Sequence, residues 1–175
     1  SMPLLMALGA QVVLMAARKG RIVSRHLPLE NFYLGYRKTA LQADEVLCWI
    51  VVPEPMPGEQ LVHYKVSKRW EDDISAVCLA MQWHLKNGAV QSVRIAAGGV
   101  AATPARAYQT EAVLTAAAWN EAAIAKAQHT LAQEFSPITD MRASADYRRK
   151  LLQQLLQRAW LEQQGHAVTQ LGDLS

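Results

Sequence analysis

Chemistry-bearing side chains are densest in one stretch, Tyr64-Lys65-Val66-Ser67-Lys68-Arg69-Trp70-Glu71-Asp72-Asp73-Ile74. It holds three cations, three carboxylates and a tryptophan within eleven residues. Two readings fit such a mixture. One is a loop lying against a charged, partly aromatic ligand; the other is a solvated turn whose opposite charges pair at the surface. Glu71, Asp72 and Asp73 could supply a general acid, but adjacent carboxylates on a turn do not of themselves form an acid–base dyad. Gly98-Gly99 lacks the rest of a phosphate-binding fingerprint. It reads instead as a place where the backbone bends or approaches a neighbour closely. No serine sits in a nucleophile-elbow context, and neither HExxH nor CxxC occurs. By motif alone no catalytic residue is assigned.

Cys48 and Cys78 lie far apart inside apolar runs. That is the pattern of buried, reduced thiols in a cytoplasmic protein, not of a disulfide frame. The five histidines show no ligand spacing, so no metal site is predicted; His63 and His84 read as single polar positions on strands. With 175 residues, 51% of them hydrophobic and 19% charged, the chain can bury a substantial core. The net charge of +3 comes from scattered basic residues, concentrated only at Arg18-Lys19-Gly20-Arg21 and Arg148-Arg149-Lys150. Neither cluster is interleaved with aromatics, which argues against a nucleic-acid partner. The apolar run from Leu4 to Ala17 is interrupted by Gln11 and too short to span a bilayer, so no membrane partner is expected. It has no basic segment before it, unlike a signal peptide. The chain begins inside a core-like segment and reads as entered midway.

The elements that must position the charged stretch can be read from hydrophobic period. Leu4 to Gly9 predicts a short helix closed by glycine. Gln11–Ala16 and Ile22–Leu27 predict strands about a turn, Glu30–Leu34 a helical turn, and Leu47–Val52 a strand halted by Pro53. The linker-like 53–58 stretch, rich in proline, marks a boundary. Beyond it, Val62, Tyr64 and Val66 share one face of a strand, which turns Lys65 to the other. Residues 74–85 alternate cleanly. Val77, Leu79, Met81, Trp83 and Leu85 make a large apolar face, and Ala76, Cys78, Ala80, Gln82 and His84 a smaller mixed one. Asn87-Gly88 predicts a type I′ hairpin into a strand through Val93, Ile95 and Ala97.

A sheet with one heavily apolar face needs a cover. Three predicted helices supply it: 110–117; 120–134, capped by Asn120 with Trp119 stapled against Ile124; and a third from Ser144. The third carries Tyr147, Leu151, Leu152, Leu155, Leu156, Ala159 and Trp160 as a core stripe and ends near Gly165. The fold class is α+β: an antiparallel sheet of three to four strands followed by three helices packed on one face.

Three segments carry a family resemblance: Tyr64 through Val77, then Gly98-Gly99-Val100-Ala101, then Pro137-Ile138-Thr139-Asp140-Met141-Arg142-Ala143-Ser144 with Tyr147-Arg148. Together with Tyr36-Arg37-Lys38-Thr39 and Glu45-Val46-Leu47, they resemble the FAD-binding flavoprotein part of the molybdenum hydroxylases, most nearly the bacterial xanthine dehydrogenase small subunit. The resemblance spans roughly residues 3–162, with its motifs in order. It implies that residues 1–53 are the C-terminal remnant of an FAD-binding subdomain. Residues 59–164 would be a domain like the C-terminal domain of carbon monoxide dehydrogenase flavoproteins, and 165–175 a tail.

It also implies that Leu47, Lys65, Asp72 and Ile74 are cofactor-binding, with the acidic loop beside the isoalloxazine and an influence on the electron acceptor. FAD is the implied cofactor. Iron–sulfur clusters and molybdopterin are expected only on other domains or subunits, which become the implied partners, with NAD as acceptor. The pyrophosphate-holding glycine-rich segments of the family are absent here, so the chain alone is expected to be inactive and colourless. Strand edges before Pro53 are expected to invite homo-oligomers. Alternatives are the flavoprotein of an aldehyde, nicotinate or carbon monoxide dehydrogenase, or a non-catalytic interaction domain of the same fold.

Overall fold

The computed structural model describes residues 1–69 and 74–166. Pro3 fits the first turn of helix α1 (Met2–Ala7), and Gly9, at a φ of 69°, ends the turn that follows it. Strand β1 (Gln11–Arg18) turns through Lys19-Gly20 into β2 (Arg21–Pro28) and pairs with it along its whole length. A 3-10 turn, Leu29–Asn31, leads to the short hairpin of β3 (Tyr33–Gly35) and β4 (Lys38–Thr39). The helical turn predicted through Leu34 is therefore shorter, because Tyr33 is drawn into strand pairing with Thr39. Strand β5 (Glu45–Val51) lies on the other side of β1, giving the order β2-β1-β5 with a bulge between Val13 and Leu14. Val12 and Leu14 point inward and pack with Met6, Ala7, Leu29 and Phe32.

The second sheet comprises β6 (Glu59–Val66), β7 (Val77–Lys86), β8 (Ala89–Gly98) and β9 (Ala105–Arg106), antiparallel and in sequence order. Asn87 and Gly88 adopt φ of 53° and 75°, as the predicted type I′ turn requires. Val77, Leu79, Met81 and Trp83 are buried beneath helices α2 (Tyr108–Leu114), α3 (Glu121–Glu134) and α4 (Ala145–Gln163). Trp83 stacks on Trp119 with ring centroids 5.4 Å apart. Asn120 caps α3 by accepting from the Ala123 amide, and Ser144 caps α4 by accepting from the Tyr147 amide. The α+β architecture read from period is the one observed.

Three further features differ from the sequence reading. The smaller face of the second sheet is buried too: Ala80 and Ala96 belong to the core of the first unit, because residues this small let α1 pack close. Cys78 is buried as expected, whereas Cys48 on β5 is exposed. Tyr147 does not join the core stripe; it is 49% exposed, and Arg148 takes the buried position beside it. Among the described residues no helix is long and apolar enough to cross a membrane, and no group of three metal-ligating side chains forms.

Candidate functional site

Strand parity places Lys65 as read. Val62, Tyr64 and Val66 pack against the helix-covered core, and Lys65 is exposed. The core-side row is fixed by polar contacts to α4. The Tyr64 hydroxyl donates to Glu162, whose other oxygen accepts from Arg158 Nε at 2.7 Å, and the Arg158 guanidinium lies 4.9 Å from the Tyr64 ring centre. Burial, then the hydrogen bond to Glu162, pushes the Tyr64 hydroxyl well above its usual range. Burial alone would raise Glu162, but hydrogen bonds from Tyr64 and Arg158 hold it low. On the other face, Leu61, His63 and Lys65 form an exposed row. His63 Nε2 lies 3.2 Å from the Cys78 sulfur; partial desolvation lowers the imidazole and burial raises the thiol.

The charged stretch is the connection between β6 and β7. It is closed where the Ala76 amide donates to the Val66 carbonyl at 2.8 Å. Trp70, Glu71, Asp72 and Asp73 lie outside the described residues, so the Asp72 assignment has no structural counterpart; Ile74 is 58% exposed. One end of the connection meets the segment before α4 and the other meets the first turn of α4. Lys68 Nζ donates to the Met141 carbonyl at 3.4 Å, and Arg148 Nη1 donates to the Ala76 carbonyl at 2.6 Å.

Arg148, 3% exposed, also donates to the Gly99 carbonyl at 2.7 Å and to Asp140 Oδ1 at 2.6 Å. Asp140 accepts from the backbone amides of Arg142 and Ala143 as well. Those amide bonds, with Arg148, hold its carboxyl at about 2 despite desolvation. Gly99 sits at a φ of 79°, and a Cβ there would lie 2.4 Å from the Ala76 carbonyl oxygen. This is the close backbone approach that Gly98-Gly99 suggested. An open cavity of about 470 Å³ lies between the ends of the connection and α4, lined in part by Val66, Lys68, Ala76, Arg142, Ser144 and Tyr147.

Three stretches far apart in sequence thus converge on one guanidinium. Sequence reading gave Arg148 no role. The signal was present, since it precedes Leu151, Leu152 and Leu155 at helical spacing and so falls on the apolar stripe of α4.

Leu47 is 41% exposed on β5, opposite Leu14 of β1. It follows Glu45, which is buried and accepts from Arg25 at 2.7 and 2.8 Å and from the Gln42 amide at 2.9 Å. Those bonds hold the Glu45 carboxyl at about 2. Leu47 on β5 of the first sheet, Lys65 on β6 of the second and Ile74 in the connection after β6 are each exposed.

Two family profiles match the chain: "FAD binding domain in molybdopterin dehydrogenase" over residues 1–55 and "CO dehydrogenase flavoprotein C-terminal domain" over residues 62–163. The chain is 31% identical over 131 residues to the xanthine dehydrogenase FAD-binding subunit of Escherichia coli O157:H7, covering 74% of this chain and 44% of that one. Against the nicotinate hydroxylase of Emericella nidulans it is 33% identical over 165 residues, covering 90% of this chain and 12% of the relative. The solved carbon monoxide dehydrogenase of Oligotropha carboxidovorans superposes with a TM-score of 0.80 at 27% identity, over 90% of this chain and 53% of that one. The chain therefore spans about half or less of the length of these relatives.

Proposed function

The chain belongs to the FAD-binding flavoproteins of the molybdenum hydroxylases, and from that premise we propose that it forms one wall of the flavin site in a xanthine dehydrogenase-like oxidoreductase. The carrying observation is the pair of family matches in order along the chain, with Lys65 exposed on the strand that enters the charged connection. Leu47 and Ile74 would pack on the ring system, and Lys65 would pair with flavin or phosphate charge. Asp72 would place a negative charge near the ring. Bound there, FAD supplies the redox chemistry that links iron–sulfur centres to NAD.

The iron–sulfur module and the molybdopterin-binding subunit are the partners in this reading, and the location is cytoplasmic. Residues 1–53 act as the end of the FAD-binding subdomain and 59–164 as the C-terminal domain, with 165–175 a tail. The outer strand edges of the first sheet support self-association of the isolated chain. Nicotinate is the second substrate reading, because the match to a nicotinate hydroxylase runs over 90% of the chain.

The test is a fluorescence titration of FAD with the purified chain and with the assembled flavoprotein, followed by xanthine- and nicotinate-dependent reduction of NAD by the complex that also holds the iron–sulfur and molybdopterin modules. FAD retained only by the assembled flavoprotein, with xanthine as the better substrate, is the expected result. An assembled protein that takes up no FAD would refute it.

A further inference from the structure

The geometry points to Arg148 as a positioning residue that fixes both ends of the β6–β7 connection relative to Lys65. This rests on the reading that Lys65 faces FAD. A buried guanidinium is costly unless its donors are used; this one places its two terminal nitrogens on three acceptors from separate segments, while its Nε is buried without a hydrogen-bond partner among the described residues. Ala76 is the exit of the connection, Gly99 the residue just past β8, and Asp140 part of the turn that leads into α4. The same turn offers the Met141 carbonyl to Lys68 at the entry.

Entry and exit are thus referred to one turn, held in shape by Asp140 accepting two of its amides. The Val66–Ala76 backbone bond closes the connection immediately after Lys65. Any displacement of Ala76 therefore passes to Lys65 within two residues along a paired strand. A lysine cannot replace this arginine, since an ammonium on a flexible stem does not present the planar fork that reaches three acceptors.

The test is limited tryptic cleavage of the folded chain, following peptides cut after Lys68 or Arg69. Arg148→Lys is expected to be cut there about tenfold faster than the parent, the order expected when a charge-assisted bond at a loop end is lost. Leu156→Ala, a buried change on the same helix, is the control: at equal or greater loss of urea stability, its cleavage should rise only as global unfolding does. Equal acceleration in both variants, or none in Arg148→Lys, overturns the proposal. Asp140→Asn, which removes the charge opposite the guanidinium, should give the same cleavage sites and serves if Arg148→Lys does not fold.

A second measurement separates this from the reading it rests on. In the FAD-loaded flavoprotein, Arg148→Lys should shift the flavin midpoint potential. Faster cleavage with an unmoved potential keeps the role of Arg148 and refutes the placement of Lys65 beside FAD. Flavin loss in Lys65→Ala, with no change of cleavage in Arg148→Lys, does the reverse.

Discussion

Lys65 is the residue on which the proposed site turns, and it was legible because a strand has a period of two. With Val62, Tyr64 and Val66 committed to the core side, Lys65 has one face left to occupy. Lys65→Ala should weaken FAD retention in the assembled flavoprotein by roughly 1–3 kcal/mol, the usual loss for a charge-assisted hydrogen bond. Because Lys65 is exposed, the urea midpoint should barely move. Unchanged flavin affinity with a large stability loss would make the residue structural. A carboxylate beside the ring opposes anionic reduced flavin, so Asp72→Asn should ease reduction. Screening by solvent, Lys68 and Arg69 should leave about 1 kcal/mol, or roughly 20 mV for a two-electron couple. A redox titration indistinguishable from the parent would assign Asp72 to a solvated turn.

Acid should act through other carboxylates. Glu45 and Asp140 are both held at about 2, Glu45 mainly by Arg25 and Asp140 mainly by the Arg142 amide. A depressed folded value means their stabilisation is complete above the ordinary carboxylate range and is lost as pH falls from about 4 toward 2. Melting temperature should be flat near neutrality and fall in that window, and Glu45→Gln should lower the plateau while shallowing the fall.

At the scale of elements, most of the second unit was legible because its local signals agree with its packing. Alternation set the faces of β7, Asn87-Gly88 set the hairpin, and Asn120 and Ser144 set two helix starts. What escaped depends on contacts between segments. Burial of the mixed face of β7 could not be seen in alternation, because it arises from α1 docking on Ala80 and Ala96. Arg148 takes the buried position expected of Tyr147 for a similar reason: three acceptors supplied from elsewhere make the arginine the better buried residue. Gly99 was read as a close approach, but its partner, the Ala76 carbonyl, is set by the tertiary fold. Gly99→Ala combines a positive φ with a Cβ 2.4 Å from that carbonyl oxygen. It should cost roughly 1–3 kcal/mol in urea unfolding. Asn120→Ala, which removes only a cap, should cost about 1 kcal/mol. If Gly99→Ala is the milder of the two, the backbone there yields more readily than its geometry implies.

At the scale of the whole molecule, the two sheets treat their edges differently. The helix-covered face of the second sheet is closed, but in the first sheet β5 is an outer strand with both faces apolar. Val46, Leu47, Trp49, Ile50 and Val51 are each at least 41% exposed. Ile22 on the opposite outer strand is 68% exposed. A long apolar edge offers unpaired backbone groups together with surface that favours removal from water, the combination that promotes strand pairing between molecules. The purified chain should therefore show a sedimentation coefficient that rises with concentration. Val46→Lys with Ile50→Lys places two charges on that strand and should restore a monomer, since desolvating an ammonium opposes edge pairing. Far-UV circular dichroism and the urea midpoint should stay near the parent, because neither side chain is buried. A parent that sediments as a monomer at every concentration, or a double variant that still associates, would move the contact away from β5.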